Sequence, residues 1–258
     1  MDLGLAGRCY VLMGASRGLG LATAQALVEE QANVVLVARD QAAVTQAATT
    51  LGAQAIGVGA DLASPSTAEI VTAAALARFG RLDGALLSGP SPVRGSPLLV
   101  SDEAWRAGFE SVFLGALRVA RATILAGTQE AVVNGKGASI LFVLSTSTRS
   151  PQSGLAVSNG LRPGLGVLVK DLADEAGPRG VRVNGILPGR IATDNVFAQD
   201  ARNGDPMNVR RRQESAIPLR RYGEPQEFGQ AAAFLLSPAA SYITGSLLCL
   251  DGGRARAL

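Results

Sequence analysis

The chain has 258 residues, a formal net charge of +3 and no histidine, and its only lysines are Lys136 and Lys170. Its tyrosines are Tyr10, Tyr222 and Tyr242. Imidazole chemistry is thereby excluded, whether Ser-His-Asp, Cys-His or HExxH, and any proton transfer must be sought among few side chains.

At 47% hydrophobic and 17% charged, the composition is that of a chain with a large core,. The net charge is too small and too dispersed to suggest a nucleic-acid partner. Apolar runs such as Val34–Ala38 and Ile140–Leu144 are strand-sized and too short to span a membrane. The N-terminus lacks the basic and long apolar regions of a signal peptide, so a cytoplasmic protein is expected. Cys9 and Cys249 read as reduced, buried small hydrophobes. No metal site is expected.

In chain order, the pattern predicts strand Arg8–Met13, helix Leu19–Glu30, strand Val34–Val37, helix Gln41–Thr50, strand Gln54–Val58 and helix Pro65–Phe79. Strand Ala85–Ser88, helix Asp102–Leu125, strand Ser139–Ser145, helix Ser153–Ala176, strand Val181–Leu187, helix Pro225–Leu235 and strand Ser246–Leu250 follow. Regular alternation of this kind implies right-handed βαβ units. The expected fold is α/β: a single Rossmann-like domain over residues 1–258, a doubly wound parallel sheet of about seven strands with helices on both faces. Two stretches, 89–97 and 191–215, read as irregular. Both begin at the carboxyl ends of strands, where such sheets bind ligands, and are expected to form the substrate loops.

Directly after the first strand comes Gly14-Ala15-Ser16-Arg17-Gly18-Leu19-Gly20, running into a helix. Glycines there allow a tight turn and close approach to a pyrophosphate, while free N–H groups and the helix dipole favour its charge. The Gly-x3-Gly-x-Gly spacing resembles that of the short-chain dehydrogenase/reductase family. So do Asp61-Leu62 after the third strand, Val183-Asn184-Gly185, Pro188-Gly189 with Ile191 and Thr193, and Tyr242-Ile243-Thr244-Gly245 with Asp251-Gly252-Gly253 near the C-terminus. Members similar to 3-oxoacyl-carrier-protein reductases are implied.

The resemblance implies a nicotinamide dinucleotide held by Gly14, Ser16, Arg17, Gly18, Leu19 and Gly20, with Asp61 and Leu62 at the adenine, Gly89 after the fourth strand, and Pro188, Gly189, Ile191 and Thr193 at the nicotinamide. Enzymes that use NAD place an acid at the end of the second strand, whereas this chain has Ala38 followed by Arg39. Two guanidinium groups, Arg17 and Arg39, suit a 2′-phosphate, so NADP(H) is preferred over NAD(H). The bland alternative for Arg39 is a solvated charge paired with Asp40.

The family's catalytic Ser corresponds to Ser145. Counting back from Leu172-Ala173-Asp174-Glu175, its Tyr and Lys positions fall on Ser158 and Arg162, and its Asn position falls on Val112. Thus Ser158-Asn159-Gly160-Leu161-Arg162 stands where the family has YxxxK. A serine hydroxyl is a poor general acid near neutral pH, and losing a general acid costs roughly 10²–10⁴ in rate. Arg162 keeps a positive charge able to hold the nicotinamide ribose or stabilise an alkoxide. Pro163 either begins the helix or kinks it.

The leading expectation is an NADP(H)-dependent oxidoreductase acting on a small-molecule carbonyl or secondary alcohol, with Ser145, Ser158 and Arg162 as the catalytic set. The competing one, from a different class, is a catalytically silent NADP(H)-binding subunit or sensor. Arg210-Arg211-Arg212 reads as a solvated lid face paired with Glu214. The resemblance further implies a homotetramer or dimer assembled through the helices at 102–125 and 153–176, without a nucleic-acid or membrane partner.

Overall fold

Seven strands hydrogen-bond in parallel in the order β3-β2-β1-β4-β5-β6-β7 in a computed structural model. It describes the backbone of residues 2–134 and 137–256 and the side chains of 2–127 and 137–256. Lys136, one of the two lysines, lies outside the described residues.

The strands are β1 (Cys9–Met13), β2 (Asn33–Ala38), β3 (Ala55–Gly59), β4 (Gly84–Ser88), β5 (Ser139–Val143), β6 (Arg182–Pro188) and β7 (Leu247–Leu250). The principal helices are α1 (Gly18–Glu29), α2 (Gln41–Leu51), α3 (Thr67–Phe79), α4 (Asp102–Gly108), α5 (Gly115–Asn134), α6 (Ala156–Ala176), α7 (Asp194–Arg202), α8 (Pro206–Ser215) and α9 (Pro225–Leu236).

Period-2 alternation sorts each strand onto two cores. On β1, Cys9, Val11 and Met13 join Val71 of α3, Val119 of α5 and Leu165 of α6. Tyr10 and Leu12 join Leu27 of α1 and Phe228 of α9 on the other face. Burial on both faces is why the central strands read as continuous apolar runs and not as half-polar ones. The winding reverses between β1 and β4, which are adjacent, and opens the crevice at their carboxyl ends.

Several expectations need correction. The predicted helix 102–125 is three pieces: α4, a π-helical segment Phe109–Leu114, and α5, which runs on to Asn134. Stretch 191–215 is not irregular but carries α7 and α8. Thr193 and Asp205 precede these helices, the Asp205 carboxylate capping α8 at Asn208 N, signals that mixed charge had masked. Strand β5 stops at Val143, so Ser145 lies beyond it, and α6 begins at Ala156. Pro163 lies inside α6, not in its first turn, and removes the helical partner of the Asn159 carbonyl. A Cβ on Gly160 would stand 2.7 Å from the Trp105 ring, so α6 approaches α4 closely where its sequence is poorest in helix formers. Cys9 is buried, Cys249 only partly, and both are free thiols.

Candidate active site

The glycine loop leaves β1 through Gly14 at φ +68 and enters α1 through Gly18 at φ +58, both left-handed,. A Cβ on Gly14 would stand 2.8 Å from the Ser88 carbonyl oxygen, and one on Gly20 would stand 2.5 Å from the Gly14 oxygen. The loop therefore packs backbone against backbone. No side chain caps the N-terminus of α1 and no acid occupies its first turn, leaving its first N–H groups and dipole to an anion. Ser16 and Leu19 are half-buried beside them. A cradle whose space a Cβ would fill fits a dinucleotide pyrophosphate.

Arg17 and Arg39 are both exposed, and among the described residues neither forms a side-chain ion pair or hydrogen bond. Asp40 is not paired with Arg39; its carboxylate accepts from Ala43 N at 3.0 Å and caps α2. Asp61 follows β3, exposed, its carboxylate accepting from Ala63 N at 3.0 Å. Next to it Leu62 is buried, and a Cβ on Gly89 would come within 3.8 Å of its side chain and 3.6 Å of the Val112 Cα. Val112 is itself 3% exposed within the apolar core, so an apolar wall stands where the family pattern expects Asn.

Pro188 ends β6, and a Cβ on Gly189 would stand 2.6 Å from the Asp251 side chain. Ile191 is buried, and Thr193 reaches across the crevice, its methyl 3.8 Å from where a Gly18 Cβ would lie. The segment after β6 thus borders the glycine loop.

Ser145 sits two residues past β5, and its Oγ accepts a hydrogen bond from Ser147 N at 3.1 Å, capping a 3-10 turn over Thr146–Thr148. Ser158, in the first turn of α6, is 2% exposed. Its Oγ accepts from Arg162 Nη1 at 2.7 Å and lies 3.1 Å from Ser147 Oγ. The i, i+4 spacing brings Ser158 and Arg162 together as expected, and Ser147 joins them to Ser145, by its hydroxyl on one side and its backbone N–H on the other,. Sequence reasoning missed Ser147, because a serine two residues beyond another carries no signal of its own. Also missed was Asn159, whose amide clasps Gln152: it accepts from the Gln152 N at 3.1 Å and donates to the Gln152 oxygen at 2.8 Å. That clasp ties the segment after β5 to the start of α6.

Arg162 Nε is buried with no hydrogen-bond partner. Burial, with no anion to offset it, pulls the guanidinium down to about 10,. An unpaired buried donor carrying charge fits a ligand that brings oxygen acceptors, such as a ribose diol.

The other proton donors are elsewhere. Tyr10 is buried in the core, where burial raises its pKa; Tyr242 is fully exposed; Lys170 pairs with Asp174 at 3.1 Å on the surface. Tyr222 donates to Asp200 Oδ2 at 2.8 Å, while Arg190 holds Oδ1 at 2.8 Å. Burial, with the Asp200 bond second, pushes the Tyr222 phenol up to about 12. This network anchors α7 beneath the crevice. Arg210 pairs with Glu214 at 2.8 Å and lies over the Tyr222 ring. Arg94 bonds Gln199 at 3.2 Å and Asn195 bonds Ser91 at 3.4 Å, joining loop 89–97 to α7. No described helix is long and apolar enough to cross a membrane, and no described cluster of acids and thiols could hold a metal.

A doubly wound sheet with a glycine cradle at its switch point defines the class as a nucleotide-binding α/β protein. The profile of a family described as enoyl-(acyl carrier protein) reductase matches residues 14–255. A 2,5-dichloro-2,5-cyclohexadiene-1,4-diol dehydrogenase of Sphingobium indicum is 33% identical over 254 residues, 96% of this chain and 97% of that protein. The structure of L-sorbose reductase from Gluconobacter frateurii, complexed with NADPH and L-sorbose, superposes with a TM-score of 0.93 at 28% identity over 100% of both chains. That of a 3-ketoacyl-(acyl-carrier-protein) reductase from Brucella melitensis, complexed with NADH, gives 0.88 at 29% identity, covering 97% of this chain and 99% of that one. The chain belongs to the short-chain dehydrogenase/reductase family of oxidoreductases.

Proposed function

We propose that the protein is an NADP(H)-dependent oxidoreductase interconverting a carbonyl and a secondary alcohol, with a Ser–Arg pair in place of the family's Tyr–Lys pair. One observation carries the reading: the buried Arg162 guanidinium, without an anion, is bonded to Ser158 at 2.7 Å, and Ser158 meets the hydroxyl of Ser147, whose backbone N–H is bonded to Ser145 Oγ. When bound, the nicotinamide supplies or accepts the hydride.

Ser145 has one acceptor site filled by Ser147 N, leaving its hydrogen to bond the substrate oxygen. Ser158 presents a second hydroxyl, and Arg162 polarises it and stabilises negative charge developing on that oxygen. The proton is delivered by water or by a substrate hydroxyl, because no phenol or ammonium stands beside Ser158 among the described residues. The glycine loop with Ser16 and Leu19 holds the pyrophosphate, and Arg17 turns to the adenosine ribose; Asp61 and Leu62 border the adenine; Gly89, Pro188, Gly189, Ile191 and Thr193 border the nicotinamide. NADPH and NADH each occur with a relative, so the cofactor preference rests on Arg17 and Arg39, two guanidinium groups with no carboxylate between them.

The test is a binding titration with NADPH and NADH beside NADPH oxidation across ketones, β-ketoacyl thioesters and sugars. Tight NADPH binding with slow turnover of one class is expected; binding without turnover on any class refutes the enzymatic half. Val112 in the apolar core, where a polar relay belongs, favours the second reading, a silent NADP(H)-binding subunit. Restoration of turnover by Ser158→Tyr with Arg162→Lys supports that one.

The exposed Phe109 and Val167 flank grooves on α4, the π-helical segment and α6. Self-association into a dimer or tetramer through this face, in the cytoplasm, completes the proposal. A monomeric mass by light scattering refutes it.

A further inference from the structure

We infer that Ser147 is a positioning residue that orients the Ser158 hydroxyl as a hydrogen-bond donor to the substrate oxygen. The inference rests on the redox reading above and adds a residue to it. Ser147 is 3% exposed and Ser158 is 2% exposed, so solvent does not set their hydrogens. A hydroxyl has one hydrogen and two acceptor sites. Guanidinium only donates, so Arg162 Nη1 fills one acceptor site of Ser158 Oγ. Ser147 Oγ, 3.1 Å away, has no other described side-chain partner.

Two arrangements of hydrogens are open. In one, Ser158 donates to Ser147 and has nothing left for a ligand. In the other, Ser147 donates to Ser158, whose oxygen is then saturated by two donors and whose own hydrogen is free. An entering carbonyl oxygen selects the second, because every hydrogen in the chain then has an acceptor. Donors on both sides polarise the Ser158 O–H, and its bond strengthens as negative charge grows on the substrate oxygen.

Side-chain hydrogen bonds hold the pair in register. Ser147 N is tied to Ser145 Oγ, Gln152 donates to Thr146 Oγ1 at 2.8 Å, and Asn159, next to Ser158, clasps Gln152. The turn carrying Ser147 and the helix carrying Ser158 are therefore one unit.

The experiment is a double-mutant cycle of Ser147→Ala and Ser158→Ala, with Ser147→Cys as a graded variant, read as kcat, KM, NADPH affinity and thermal midpoint. Ser147→Ala is expected to lower kcat about tenfold with KM and NADPH affinity unchanged, to have no further effect in the Ser158→Ala background, and Ser147→Cys to fall between. An unchanged kcat overturns the inference while leaving the redox reading intact. So does an equal fall in the Ser158→Ala background, or a loss of NADPH binding, either of which marks Ser147 as a structural residue. Wild-type protein that binds NADPH but turns nothing over overturns both.

Discussion

Replacing Arg162 with methionine separates what this residue costs the fold from what it does for a ligand. Burial lowers its pKa from 12.5 to about 10, a depression equivalent to roughly 3 kcal/mol against the charged form. A base whose folded pKa is depressed carries that cost at every pH where it is charged in both states, so the cost is fully present at pH 7. It is relieved only as pH rises through about 10,. Against this, the variant loses one charge-assisted bond, Nη1 to Ser158 at 2.7 Å, worth about 1.5–3 kcal/mol. Methionine has similar length and no polar atom to leave unpaired. Arg162→Met should therefore be at least as stable as wild type at pH 7 without cofactor, by up to about 1.5 kcal/mol, while binding NADPH about tenfold more weakly. Urea unfolding at fixed protein concentration reads the first effect as an equal or raised midpoint with unchanged slope, and titration calorimetry reads the second. A variant destabilised by more than about 1 kcal/mol with unchanged NADPH affinity refutes the reasoning, since Arg162 would then be a strut of the fold.

Three further outcomes are expected. Arg17→Ala with Arg39→Ala should weaken NADPH by about 10–100-fold and leave NADH within about twofold, measured by fluorescence titration; equal losses would remove the 2′-phosphate assignment. Gly20→Ala places a Cβ 2.5 Å from the Gly14 oxygen, so it should lower the thermal midpoint and abolish binding of both cofactors; unaltered NADPH affinity would mean that the loop is not the pyrophosphate cradle. In Arg162→Lys the same burial acts on a weaker base, so the positive charge is lost at lower pH as pH rises through the depressed value. Its kcat/KM should fall on the alkaline side before that of wild type in a pH–rate series; coincident profiles would show that the charge plays no part.

The succession of strands and helices along the chain and the glycine loop after the first strand were legible because they follow from local rules. The glycine spacing at 14–20, the strand-helix alternation and Pro188-Gly189 each report backbone needs that few residue types meet. The i, i+4 pairing of Ser158 with Arg162 was legible for the same reason, since helix geometry alone places them together. Less legible were α7, only nine residues long, and α8, rich in charged and polar residues, and the π-helical break at Phe109–Leu114, which no residue pattern marks.

What the sequence determined by itself was the family, the sheet, and a helix with Ser158 and Arg162 where the family pattern has tyrosine and lysine. Only the tertiary structure decided how the replacement residues connect. Ser147 meets Ser158 across the gap between a turn after β5 and the first turn of α6, Asp40 leaves Arg39 for Ala43 N, and Arg162 Nε finds no partner. Hydrogen bonds between distant segments, and the burial that withdraws water from a charge, depend on how elements pack, and no spacing along the chain records them.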